Sequence, residues 1–485
     1  MSLAKKTGKL LSAVLAAALL MQSAAPGTPA VKAALPADAE PKAQTETGGT
    51  DYHFSSVSGN DSNDGSLERP FRSLEKIQDL ELQPGDRLLL ERGSEFNDQC
   101  IHLENVGDIS GAPIMIEPYG EGEERPCINA NGTGVWYQSY GVPMPSPTHK
   151  WQGNVSSAIL LTDVENIEIR GLEITNWVET EEGGLEFKDP NVMNRTGVAG
   201  VAKNRGTLDH IVLEDLYVHD VKGNIIDKHM LNGGIYFGSF LPDGVESNTT
   251  AIAEEDIPRY DDLVIEGCHV ENVSRWGIAA AYTAYHNKMQ SLTAIPDEIS
   301  RQWGSTNVIM RNNYVKDVGG DGITPMHCFR PIVEYNVCQG GGKYIREDLF
   351  PNTNHRVAAG VWPWKCKDAL FRRNECFDMQ NYLHGNNDAQ AWDADSGDGT
   401  IYEYNYSHGN SGGAVMFCAG QAYKSTFRYN ISQNDERGML CIPGNPDAHV
   451  YNNTFYIKEG VNIIPNDFKN GVAKVENNIF YYAGS

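Results

Sequence analysis

Ten short segments of this chain repeat one pattern. Among them are IEIRGLEI (167–174), LVIEGCHV (263–270), VIMRNNYV (308–315), PIVEYNVC (331–338), ALFRRNEC (369–376), STFRYNIS (425–432) and AKVENNIF (473–480). Each reads as alternating apolar residues, a polar corner, then a second short strand. The corner falls at Leu172, Leu216 and Cys268, then at Asn313, Asn336, Asn374, Asn405, Asn430, Asn453 and Asn478. The last three intervals are 25, 23 and 25 residues, and insertions stretch the earlier ones. Period-2 alternation returning at that interval predicts short strands stacked in parallel. The architecture is then all-β: a right-handed parallel β-helix with long inserted loops. The asparagine column predicts a ladder in which each amide bonds the backbone of the next coil.

The segment PFRSLEKIQDL (70–80) is amphipathic and follows a turn-rich stretch, which predicts a helix capping the N-terminal coil. The far end ends on IFYYAGS with no comparable cap, so a second chain covering that end is an expected partner. Residues 1–33 read as a secretory signal. Lys5, Lys6 and Lys9 precede the apolar run LLSAVLAAALLM (10–21), and VKA (31–33) offers small residues for cleavage. Residues 34–50 lack apolar periodicity and read as a disordered linker, leaving 51–485 as the β-helix domain. The expected location is extracellular. A net charge of −25 disfavours nucleic acid and anionic membrane as partners, and makes a neutral ligand more attractive than a polyanion.

Each coil carries a further strand, usually opened by glycine: GIYFG (234–238), GIAAAY (277–282), GITPMHC (322–328), GVWPWKC (360–366), AWDADSG (391–397), GAVMFC (413–418) and GMLCI (438–442). Aligning Ile235, Ile278, Ile323, Val361, Trp392, Ala414 and Met439 as one inward column fixes the phase, because strand side chains alternate. Ile323/Pro325, Val361/Pro363, Trp392/Ala394 and Ala414/Met416 then point in. Thr324/Met326, Trp362/Trp364, Asp393/Asp395 and Val415/Phe417 point out. Asp393 and Asp395 would stand roughly 5 Å from a tryptophan pair on the neighbouring rung. Rings beside carboxylates suit a neutral oligosaccharide, whose C–H faces stack while acids act at the glycosidic bond. Asp388, on the turn entering this strand, could lean over the same groove, and loops 339–355 and 379–386 would wall it. Met326, Trp362, Trp364 and Lys365 are the candidate substrate-binding residues. Cys338 with Cys376, and Cys328 with Cys366, read as thiols stacked one rung apart.

The runs RVAAGVWPWKCKDALFRRNECF, DAQAWDADSGDGTIYEYNYSHGN and FRYNISQN resemble glycoside hydrolase family 136, the lacto-N-biosidases. MNRTGVAGVAKNRGT (193–207) and KHMLNGGIYF (228–237) extend the likeness over most of the chain after residue 50. The resemblance implies an extracellular bacterial β-helix enzyme that releases lacto-N-biose (Gal-β-1,3-GlcNAc) from lacto-N-tetraose with retention, using two aspartates seven positions apart. Asp388 and Asp395 have that spacing. The resemblance thus implies Asp388 as general acid/base, Asp395 as nucleophile and Asp393 as a supporting charge, where the residues alone would pair Asp395 with Asp393. Some relatives carry further domains or need a second chain.

No cofactor is expected for that chemistry. A calcium-dependent polysaccharide lyase of the same fold is the alternative, with Asp393, Asp395 and Asp398 holding Ca²⁺ and Lys365 as base. A non-catalytic glycan-binding β-helix is the third reading.

Overall fold

A computed structural model describes residues 48–139, 152–228, 231–349, 357–380, 388–418, 422–436, 440–441, 447–461 and 473–483. The expected signal, and the linker up to residue 47, lie outside them. The ordered domain starts before residue 51: the Thr50 amide donates to Asp86 Oδ1 (2.7 Å) and its carbonyl accepts from Arg87. No helix among the described residues is long and apolar enough to cross a membrane.

Successive coils contribute parallel strands to three sheets. One holds 13 strands and a second holds 12; the third runs as a set of seven strands, one of them the antiparallel Val135–Ser139, and a set of three. Single bridges from Ile323 to Val361 and from Val361 to Trp392 carry the third face across the gap between its two sets. This is the expected right-handed parallel β-helix. Its lumen is filled by one column from each sheet. The first runs Met310, Val333, Phe371, Tyr402, Phe427 and Val450. The second runs Val315, Cys338, Cys376, Ser407, Ser432 and Phe455.

The asparagine ladder is continuous. The amide nitrogen of each of Asn313, Asn336, Asn374, Asn405, Asn430 and Asn453 donates to the side-chain oxygen of the next, at 2.9–3.1 Å. That same oxygen accepts the backbone N–H of the preceding asparagine. The residue before each ladder asparagine, such as Tyr404 (φ 57°) or Tyr429 (φ 56°), is left-handed. Non-glycine residues adopt that conformation at a cost of about 1–2 kcal/mol, which the paired corner offsets.

The predicted capping helix is smaller than expected. Residues Leu74–Asp79 form a 3₁₀ segment, with Leu74 and Ile77 buried in the lumen cluster. Their three-residue spacing suits 3₁₀ geometry, where i and i+3 share a face. At the other end Val475 and Phe480 continue the lumen columns yet are 37% and 38% exposed. Cys338 and Cys376 pair in register, Cys328 N–H points at Cys366 Sγ (3.4 Å), and these four are free thiols.

Register corrects one expectation. Trp392 pairs with Val415 and Asp393 with Met416, so Val415 and Phe417 enter the lumen cluster and Met416 points out. The sequence reading had that coil reversed. Ala414 continues the small-residue column that precedes the inward position: Gly322, Gly360, Ala391, Ala414. A Cβ on Gly322 or Gly360 would meet Cys338 Sγ at 2.4 Å or Cys376 Sγ at 2.2 Å. In the next two coils the second sheet offers the smaller Ser407 and Ser432, and alanine replaces glycine. In the next coil Leu440–Cys441 pairs in register with Val415–Met416, and Met439, the expected inward residue, lies outside the described residues.

Candidate active site

The third sheet turns its outer face toward the inserted loops, and the acids emerge there. Trp392 is fully buried in the lumen, 5.7 Å from the Tyr402 ring. Alternation therefore sends Asp393 and Asp395 outward. On the preceding rung Trp364 bridges to Asp395, which sets Trp362 beside Asp393. The outer face is carpeted by Tyr236, Trp276, Tyr282, Met326 and Trp362, with Trp364 packed against them.

The candidate residues divide by accessibility. Asp388, Asp395 and Trp364 are half-buried. Trp364 stacks on Tyr282 (6.0 Å, 24°) and meets the edge of His327 (4.9 Å). Trp362 is 2% exposed, and its Nε1 donates to Asp321 Oδ1 (3.1 Å). Met326 and Lys365 are fully buried. These three lie under the surface of the groove. The Lys365 ammonium donates to Leu292 O (2.6 Å), and burial lowers its pKa to about 8 against the pull of Asp395 and Asp398. Asp398, the expected third calcium ligand, is engaged elsewhere: its Oδ2 accepts from Ile295 N (2.8 Å) and Lys367 Nζ (2.9 Å).

Burial pushes the Asp393 carboxyl well above the ordinary range, and the charges of Asp395 and Asp388 add to that. One of its oxygens, Oδ1, has no hydrogen-bond partner among the described residues. Burial raises Asp395 as well, but the Ser396 hydroxyl (2.6 Å) and the ammonium groups of Lys228 and Lys365 pull it back. One strand thus presents two raised carboxyls, Asp393 with the stronger push and Asp395 partly relieved by its hydroxyl and ammonium neighbours.

Two elements that the sequence reading did not assign to the site flank it. The insertion carrying helices Asn287–Gln290 and Asp297–Trp303 supplies the Leu292 carbonyl and Ile295 amide along one side. Opposite stands a buried charge cluster. Lys228 lies 3.4 Å from Asp321 Oδ1, Arg275 lies 3.5 Å from Asp321 Oδ2, and both cations donate to Val357 O. Lys228 also sits over the Trp362 ring at 5.1 Å. No local pattern marks these residues, since each comes from a different coil, ahead of its third-sheet strand. Of the loops expected to wall the groove, Ile345 packs with Ile225, Ile226 and Ala358 beside Val357, whereas residues 350–356 and 381–387 lie outside the described part.

No protein-family profile matches the chain. A crystal structure of the GH136 lacto-N-biosidase from Eubacterium ramulus superposes with a TM-score of 0.83 at 44% identity, covering 89% of this chain and 68% of that one. The chain belongs to glycoside hydrolase family 136. The native crystal form of that family 136 protein gives a TM-score of 0.82 over the same coverage. A lacto-N-biosidase of Bifidobacterium longum subsp. longum is 43% identical over 470 residues; the match takes in 91% of this chain and 29% of that protein's length.

Proposed function

We propose that this family 136 chain is an exported lacto-N-biosidase that releases lacto-N-biose from lacto-N-tetraose-type glycans by double displacement. The observation that carries the reading is the outward Asp395, half-buried beside Trp364 and flanked by the ammonium groups of Lys228 and Lys365. In this mechanism Asp395 attacks the anomeric carbon to form a glycosyl-enzyme. Asp388 protonates the departing oxygen, then takes a proton from the water that breaks the intermediate, at a carboxyl separation of about 5–5.5 Å. Asp393 is too enclosed, at 5% exposure, to reach a leaving oxygen. Trp364 offers the open ring face for a sugar, while Trp362, Met326 and Lys365 support that floor from beneath. Lys365, tied to Leu292, is poorly placed as a lyase base. A further chain or segment covering Val475 and Phe480 belongs to the same proposal.

The test is incubation with a panel of neutral oligosaccharides, including lacto-N-tetraose, with products identified by mass. Release of lacto-N-biose that disappears in Asp395→Ala supports the reading. An unsaturated product, or binding of every glycan without turnover, overturns it.

A further inference from the structure

Cys418 has no part in the chemistry above, yet it is the next rung's neighbour of Asp395. Cys418 N–H donates to Ala394 O (3.1 Å), and its carbonyl accepts from Ser396 N (3.4 Å), which sets the two side by side. One carboxylate oxygen each from Asp393 and Asp395, together with Cys418 Sγ, lie within 4.8 Å of one another. Zinc–sulfur bonds of about 2.3 Å and zinc–oxygen bonds of about 2.0–2.2 Å are within reach of such a triangle after small side-chain adjustments, with a fourth position open. A second observation points the same way. Asp393 is 5% exposed, and its Oδ1 lacks a hydrogen-bond partner among the described residues, so a buried carboxyl oxygen is left to meet a positive group.

We infer that Asp393, Asp395 and Cys418 form a binding site for a thiophilic divalent cation, with zinc the best match, and that its occupation switches hydrolysis off. The inhibitory half rests on the reading of Asp395 as nucleophile. Sulfur among the donors selects zinc over calcium or magnesium, which take oxygen ligands. Lys228 and Lys365 oppose the ion's charge, so the site releases zinc to a chelator.

The experiment uses the full chain in three measurements: equilibrium dialysis against zinc chloride, cobalt(II) absorption, and hydrolysis with added zinc. Expected are one equivalent of zinc at this site, a thiolate-to-cobalt charge-transfer band, and inhibition reversed by chelator. Cys418→Ala should remove the band, weaken zinc binding by at least about tenfold, and leave hydrolysis active but insensitive to zinc. Unchanged zinc affinity in Cys418→Ala, or no cobalt–thiolate band in the parent, overturns the site. Zinc bound through Cys418 with hydrolysis undiminished would keep the site but sink the role given to Asp395.

Discussion

The asparagine ladder makes a quantitative prediction at Asn405. Its side chain is 2% exposed and makes four ladder hydrogen bonds. Nδ2 donates to Phe371 O and Asn430 Oδ1, both at 3.0 Å, while Oδ1 accepts Asn374 N (2.9 Å) and Asn374 Nδ2 (3.1 Å). Alanine at this position strips the Asn374 backbone N–H of its acceptor in a place water cannot enter. A buried unsatisfied group costs about 1–3 kcal/mol, and the three remaining bonds about 1 kcal/mol each, so the loss should total about 4–6 kcal/mol. That is a large part of the roughly 5–15 kcal/mol that holds a domain folded. Asn478 ends the ladder half-buried, where its Oδ1 accepts from Asn453 N and Nδ2. Solvent can replace it there, so Asn478→Ala should cost less than about 1 kcal/mol. Urea unfolding followed by circular dichroism compares the two variants. Equal shifts, or a loss below about 0.5 kcal/mol at Asn405, would show that the ladder does not carry the corners.

Four further outcomes follow from the site. Asp395→Ala and Asp388→Ala should each cut kcat by at least about 10²-fold, measured on an aryl glycoside of lacto-N-biose; full activity in either refutes its role. Asp395 must be ionised to attack and its carboxyl is raised, so activity should fall as pH drops through a value above the ordinary aspartate range. Lys365→Met removes a charge that lowers that value and should move the acid limb to higher pH; a limb that stays put contradicts the electrostatics. Asp393 is raised further, so its ionisation penalises the fold above the unfolded aspartate pKa and not below it. Asp393→Asn should therefore gain stability near pH 7 relative to the parent and little near pH 3, as read by unfolding at the two pH values.

Much of the scaffold was legible because it obeys one short period. The lumen columns, the ladder and the inward phase of Trp392 all follow from alternation repeated at a fixed interval. That logic fails where a glycine is replaced without disturbing the geometry: Ala414 reads as the first apolar residue of its strand, but it fills the small position opposite Ser432. Reading Ala391 and Ala414 as glycine substitutes would have placed Met416 and Cys418 outward with Asp393 and Asp395. It also fails where a segment is too short to declare its helix type, as at Leu74–Asp79. The charge cluster of Lys228, Arg275 and Asp321 had no local signature, because each comes from a different coil and only stacking unites them. Burial was the other hidden quantity. Trp362, Met326 and Lys365 looked available in the sequence, but Lys228 sits over the Trp362 ring, Met326 packs among the outer-face aromatics and the Leu292 carbonyl holds Lys365.

Trapping the covalent intermediate tests the central claim most directly. In Asp388→Ala, an aryl glycoside with a good leaving group needs no acid to depart, so the glycosyl-enzyme should accumulate once its hydrolysis has lost the base. Peptide mass spectrometry should find the disaccharide mass on the peptide containing Asp395, with no adduct when Asp395→Ala is added. An adduct on any other residue, or product released with inverted anomeric configuration, would contradict the account.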